Sequence, residues 1–271
     1  MRAALFFAAG TVLLAQEMPV EERRTIQKTL SAKRLEVDNV NGYVHVTGYD
    51  GKEIEATVEE IVRGESKDRI ADAHKDVKLD ITQPSDMARM YVDGPFRCHC
   101  SDGWRHYGYR VTYNFDIKAP RDTVVYLRTV NQGDLKVDGI AGDYDLSGVN
   151  VPVELLEASG SGRAYSVNGA VRVVFRSNPR AASTFGSLNG RVDLYFQPDL
   201  AADLRMKTFN GKFYTDFEIT PLPPRQTAAE RRDGKLVYRA DRYTSARVGA
   251  GGPEITFDGF NGDVHILKRE K

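Results

Sequence analysis

The stretch SVNGAVRVVF, Ser166–Phe175, is followed at a fixed interval by SLNGRVDLYF, Ser187–Phe196, and TFNGKFYTDF, Thr208–Phe217. With the asparagine as origin, Asn168, Asn189 and Asn210 lie 21 residues apart, Asn150 precedes Asn168 by 18, and Asn131 precedes Asn150 by 19. NVNGYVHV at Asn41 and GFNGDVHI at Asn261 are outlying copies. Each of these asparagines follows an apolar residue: Val40, Val130, Val149, Val167, Leu188, Phe209 and Phe260.

After each motif, apolar residues alternate with polar ones. Val171, Val173 and Phe175 do so in one copy, Val192, Leu194 and Phe196 in the next. Period-two alternation marks a half-buried strand, and β-branched and aromatic residues suit its inward side. Asn-Gly is also a hairpin signal, so an antiparallel sandwich is the competing architecture. Hairpins place a turn every 8–12 residues, which IAGDYDLSG and ASGSG would supply, but they do not explain why the full motif returns only after about 20. The repeat therefore predicts an all-β chain folded as a β-solenoid, single-stranded β-helix-like, with coils of about 20 residues. Asn150, Asn168, Asn189 and Asn210 are expected in register along one edge, stacked through their amides, with Gly supplying positive φ at the corner. Val173, Leu194 and Thr215 are expected to face one interior.

The degenerate motif Thr/Ser-apolar-Asn-Gly-x-apolar-x-apolar resembles a bacterial β-strand-repeat family, the putative-adhesin domain, whose function is unknown. YNFDIKAPRDTVVYLRTVNQGDLKV is similar to that family's opening strand, Pro turn and first coil, and GAGGPEITFDGFNGDVHI to its closing coil. The likeness covers about Leu35 to Lys268. It implies a β-helical domain and carries no established catalytic set.

The chain has 271 residues, 41% hydrophobic and 28% charged, an ordinary globular balance. Its 38 basic residues equal its 38 acidic ones, so it lacks the basic excess of a nucleic-acid binder. MRAALFFAAGTVLLA, residues 1–15, has the layout of a secretory signal peptide, with a buried N-terminal element as the other reading. Its apolar run is shorter than the ~20 residues of a membrane span. Residues 16–34 then form a linker or first strand, and 35–268 the repeat domain. The chain is expected in the periplasm or outside the cell, with no transmembrane span after cleavage. The sequence leaves its oligomeric state open.

Three segments break the repeat. GESKDRIADAHKDVK places Ile70, Ala73, His74 and Val77 on one helical face with Ser66 as N-cap, predicting a capping helix near 66–76. His74 then reads as an interface residue. ITPLPPRQTAAERRDG predicts a Pro-rich loop near 220–234. FRCHCSDGWRHYGYR holds both cysteines and the single tryptophan. In an oxidising compartment Cys98 and Cys100 read first as a disulfide, then as paired thiols, and last as metal ligands with His99 and His106. Phe96, Trp104, Tyr107 and Tyr109 are the candidate partner-binding residues, because exposed aromatics anchor interfaces.

No nucleophile elbow, zinc-protease, phosphate-loop or dinucleotide motif occurs. Asp134, Asp138, Asp143 and Asp145 could suggest Ca²⁺ or a carboxylate pair, yet they fall at turns or outward positions where Asp is common. His45 and His265 share one outward repeat position with Arg172, Asp193 and Tyr214, which reads as a solvated face. No catalytic residue, cofactor site or metal site is assigned. The sequence favours an exported non-catalytic binding or structural module, with an unidentified protein or glycan of the envelope as partner. The alternative is an exported polysaccharide-acting hydrolase or lyase on a β-helix scaffold.

Overall fold

The alternating segments form strands in pairs, one before each asparagine and one after it. The computed structural model describes residues 20–97, 107–225, 230–232, 235–237 and 242–270. Nearly all regular structure in it is β, in two large mixed sheets. The first sheet has the spatial order β1 (Val20–Leu30), β4 (Ile54–Gly64), β7 (Tyr109–Pro120), β3 (Val44–Tyr49), β9 (Leu135–Asp138), β11 (Val153–Ala158), β13 (Val171–Phe175), β15 (Val192–Phe196), β23 (Val264–Lys268) and β17 (Phe213–Thr215). The second runs β18 (Ile219–Leu222), β21 (Thr244–Val248), β16 (Ala202–Lys207), β22 (Glu254–Asn261), β14 (Ser183–Asn189), β12 (Gly162–Ser166), β10 (Tyr144–Gly148), β8 (Val124–Thr129), β2 (Arg34–Asp38), β6 (Met87–Asp93) and β5 (Lys78–Thr82). A separate hairpin joins β19 (Glu230–Arg232) to β20 (Lys235–Val237). The two large sheets stay distinct, and neither closes on itself.

From β8 to β15 the chain alternates between the sheets, and each strand pairs in parallel with the equivalent strand one repeat away. Like residues consequently stack on like. Val137, Leu155, Val173, Leu194 and Ile266 form one inward file of the first sheet, all buried. Leu127, Leu146, Ala164, Phe185 and Phe257 form the facing file of the second. Phe175 lies across both, stacked on Phe196 at 4.8 Å and edge-on to Phe185 at 5.8 Å. Each such side chain except Ala164 contributes about 1.5–3 kcal/mol by burial.

Six of the seven asparagines line one edge and bond to each other, while Asn41 donates to the Val111 carbonyl at 3.3 Å. Asn150 donates from Nδ2 to Asn131 Oδ1 at 2.7 Å, Asn168 to Asn150 at 2.8 Å, and Asn189 to Asn168 at 2.7 Å. The order then departs from the expectation. Asn261 donates to Asn189 at 2.7 Å, and Asn210 donates to Asn261 at 2.9 Å. Thus β22 and β23, late in the chain, insert between the layer of β14 and β15 and the layer of β16 and β17. Asn210 does not stack on Asn189.

Further corrections follow from the ends of the stack. Thr215 is exposed, because β17 is the last strand of its sheet. Pro221, expected in a loop, lies in β18, which is an edge strand and so tolerates the missing N–H. The glycines do not all serve positive φ. Gly42 and Gly262 have φ of 113° and 143°. At Gly190 the constraint is space, since a Cβ would sit 2.2 Å from the Gly169 carbonyl oxygen. Helix α1 (Lys67–Asp76) is capped by Ser66, whose hydroxyl accepts from the Arg69 N–H at 3.4 Å. It buries Ile70 and Ala73 over β1, β4 and β7, while His74 reaches Glu22 at 3.2 Å. Residues 1–19, with the predicted signal peptide, lie outside the described residues.

Candidate functional site

The outer face of the second sheet carries a continuous polar and aromatic surface, and its composition follows from register. In every repeat the residues three and five before the asparagine point outward. The first file runs Asp38, Arg128, Ser147, Tyr165, Gly186, Asp258, Lys207. The second runs Glu36, Tyr126, Asp145, Arg163, Thr184, Thr256, Arg205 in the same strand order. From β6 to β16 this face crosses seven strand intervals, about 34 Å.

Most charges on it are already matched. Arg89 lies 3.4 Å from Glu36, Arg97 donates to Asp38 at 3.0 Å, and Arg163 lies 3.5 Å from Asp145. Arg163 also donates to the Ser147 hydroxyl at 2.7 Å and covers the Tyr165 ring at 4.8 Å. Lys207 pairs with Asp258 at 3.0 Å, and Arg205 covers Tyr243 at 4.4 Å. The Asp258 hydrogen bond holds the Lys207 ammonium above its usual range. Two neighbours on β8 stand apart. Tyr126 is 41% exposed, and neither its hydroxyl nor the exposed Arg128 guanidinium is held by a described residue. They line a shallow depression of about 290 Å³ with Glu36, Asp38 and Asp145.

The aromatic cluster expected from FRCHCSDGWRHYGYR is only partly described. Cys98, His99, Cys100, Trp104 and His106 lie outside the described residues, and with them the disulfide and its metal alternative. Phe96 is exposed on a short 3₁₀ turn, Pro95–Arg97. Tyr107 and Tyr109 are ring neighbours at 5.6 Å. Tyr109 donates to Asp76 of α1 at 2.7 Å, and desolvation with that carboxylate raises its phenol well above the usual range. Arg97, which the sequence reading passed over, covers the Tyr91 ring at 4.4 Å and ties this segment to β2 through Asp38.

The outer face of the first sheet is more ordered than a merely solvated one. His45 contacts Asp134 at 2.9 Å and stacks on Tyr43 at 4.2 Å. Desolvation and a 2.7 Å hydrogen bond to Asp116 push the Tyr43 phenol up to about 12. His265 contacts Asp193 at 2.8 Å, and Arg191 bonds both oxygens of that carboxylate at 2.7 Å. Asp143 accepts from the Ser161 backbone N–H at 3.0 Å. These aspartates serve cross-strand bonds. Among the described residues no group of three or more His, Cys, Asp or Glu is arranged to hold a metal ion, and no helix is long and apolar enough to cross a membrane.

No family model matches the chain, and no curated protein matches it. Solved structures that it resembles include a putative cell adhesion protein from Clostridium sporogenes, with 9% identity, a TM-score of 0.43, and coverage of 93% of this chain and 100% of that one. A putative adhesin from Bacteroides fragilis gives 13% identity and a TM-score of 0.34, covering 91% and 97%. One from Parabacteroides distasonis gives 11% and 0.29, covering 91% and 97%.

Proposed function

We propose that this chain is a non-catalytic β-solenoid module of the cell envelope, and that the outer face of its second sheet binds an extended glycan. The observation that carries this reading is the face itself, about 34 Å long, with Tyr126 and Arg128, which no described residue holds, near its N-terminal end. A tyrosine ring offers an apolar plane with a polar tip. The flanking Arg–carboxylate pairs supply fixed donors and acceptors for hydroxyl groups. A flat surface of this length, repeating every ~4.8 Å, suits a polymer better than a compact ligand.

The hydrolase or lyase alternative needs a carboxylate free to move a proton. Glu36, Asp38 and Asp145 border the depression, but each is paired with an arginine. The solenoid reading draws support from the parallel files and the asparagine ladder. Placement in the envelope draws support from the signal-like residues 1–15.

The test is binding of purified protein to envelope polysaccharide by calorimetry. Tyr126→Ala and Arg128→Ala are each expected to weaken it roughly tenfold or more, as loss of about 1.4 kcal/mol would, with an unchanged melting temperature, while Phe96→Ala leaves it intact. Shortening of the polysaccharide by wild-type protein, or equal binding by all variants, would overturn the proposal.

A further inference from the structure

The two large sheets end in edge strands, β1 and β17 in the first, β5 and β18 in the second. A sheet edge presents unpaired N–H and C=O groups to any strand that meets it, and charged side chains or proline commonly blunt it. β1 carries Glu21, Glu22, Arg23 and Arg24, β5 carries Lys78 and Asp80, and β18 holds Pro221. β17 consists of Phe213, Tyr214 and Thr215 and has neither device.

The direction of its free groups follows from the one pairing it makes. Among the described residues β17 pairs with β23 alone, in parallel. The Val264 N–H donates to the Lys212 carbonyl at 2.9 Å, and the Asp216 N–H to the Ile266 carbonyl at 3.1 Å. Backbone groups alternate sides along a strand, so Lys212, Tyr214 and Asp216 turn theirs toward β23, and Phe213 and Thr215 turn theirs to the open side. Side chains alternate as well. Lys212, Tyr214 and Asp216 share the outer face, all exposed, with Tyr214 edge-on to the His265 ring at 5.0 Å. The chain entering β17 exposes Phe209, stacked on Phe260 at 5.1 Å, and the chain leaving it exposes Ile219.

This segment is its own complement. Two copies of β17 set antiparallel about a two-fold axis at Tyr214 bring Phe213 of one opposite Thr215 of the other. Those are the residues whose N–H and C=O face the open side, and each such pair exchanges both of its hydrogen bonds. The same register sets Lys212 opposite Asp216 of the second copy, and Asp216 opposite its Lys212, on one face. Opposite charges so placed stabilise a pair of strands. No described residue holds the Lys212 ammonium, and Asp216 accepts only the Lys268 backbone N–H, at 3.0 Å, among the described residues. Phe209 and Ile219 stand equally far in sequence on either side of Tyr214, so the two-fold carries each toward the other residue of the second copy.

We propose that this chain self-associates, two copies joining their first sheets antiparallel across β17. β21 and β18 carry the second sheet beyond that layer, so the copies meet along the first sheet alone. The paired strands are far smaller than the ~20–30 residues a side of a standard interface, and the dimer is accordingly reversible. Sedimentation equilibrium of the purified protein, from micromolar to near-millimolar concentration, is expected to show the mass rising from one chain toward two and no further. Thr215→Pro removes an N–H that β23 does not use and is expected to keep the chain monomeric with unchanged circular dichroism. Lys212→Asp and Asp216→Lys each set like charges across the joint and are each expected to weaken association about tenfold. Mixed together, the two variants restore opposite charges at both contacts and are expected to associate as tightly as wild type, which adhesion through Phe209 alone would not produce. A monomer at every concentration, growth beyond two chains, or a mixture no tighter than either variant alone would overturn the proposal. The mixing result decides the matter even where Thr215→Pro fails to fold.

Discussion

Alanine at Asn189 and Asn261, singly and together, tests the order in which the repeats stack. Asn189 donates to Asn168 and accepts from Asn261, each at 2.7 Å. Asn261 donates to Asn189 and accepts from Asn210 at 2.9 Å. These side chains are exposed, so each bond is worth about 0.5–1 kcal/mol net, at the low end for a protein hydrogen bond. Either single variant loses two bonds and costs about 1–2 kcal/mol. The double variant loses three bonds rather than four, because one is shared. Its cost should fall short of the sum by one bond, about 0.5–1 kcal/mol. Asn189 and Asn210 share no bond and stand two strand intervals apart, about 9.6 Å, so Asn189→Ala with Asn210→Ala should be additive within about 0.3–0.5 kcal/mol. Urea unfolding followed by circular dichroism reads both cycles, with a constant m value as the condition for comparing midpoints. Coupling between Asn189 and Asn210, with additivity between Asn189 and Asn261, would refute the inserted layer.

Asn39 lies outside the ladder but is fully buried, donating to the Tyr113 and Gly42 carbonyls at 2.9 and 3.2 Å and accepting from the Val40 N–H at 2.8 Å. Asn39→Ala should cost about 2–4 kcal/mol in the same urea assay, more than any exposed ladder residue, because buried groups lose their partners. Gly190→Ala should cost more than about 2 kcal/mol, since its Cβ meets the backbone of the next layer and has no flexible side chain to displace. The Arg247 hydrogen bond lowers the Asp203 carboxyl below its usual 3.8. That contribution is therefore present at neutral pH and lost as pH falls below 3.8 through the depressed value. Arg247→Gln should flatten this part of the acid limb in melts recorded from about pH 5 downward.

What the sequence discloses is whatever one physical rule repeats. The inward file through Leu155, Val173 and Leu194 is legible because an apolar side chain must pack on its own kind in each layer. Spacing, however, reports the length of a layer and not its neighbours. Twenty-one residues separate Asn189 from Asn210 whether or not another layer lies between them. Thr215 fails as a core residue for a related reason, since nothing follows β17 in its sheet. The candidate face was legible in principle at positions three and five before each asparagine, but reading only the strand after the motif misses Tyr126 and Tyr165. The open edge is harder. Phe213, Tyr214 and Thr215 read like any other strand, and only the sheet order shows that among the described residues one side of it goes unpaired.

The inserted layer also bears on synthesis, which delivers the chain from its N-terminus. Layers up to β15 find their partners as they emerge. β16 and β17 do not, because β22 and β23, on which they rest, come later in the chain. Meanwhile the open side of β14 and β15 faces two successive claimants with the same Asn-Gly motif, and the wrong one arrives first. Asn210 carries the same motif as Asn261, so any pairing it makes there must be released before β22 and β23 can take that place. The outcome favours the later arrival through Phe257 beside Phe185, Ile266 beside Leu194, and Arg269, which reaches back to Glu157 and to the Phe175 carbonyl. A chain ending before Glu254 lacks all three.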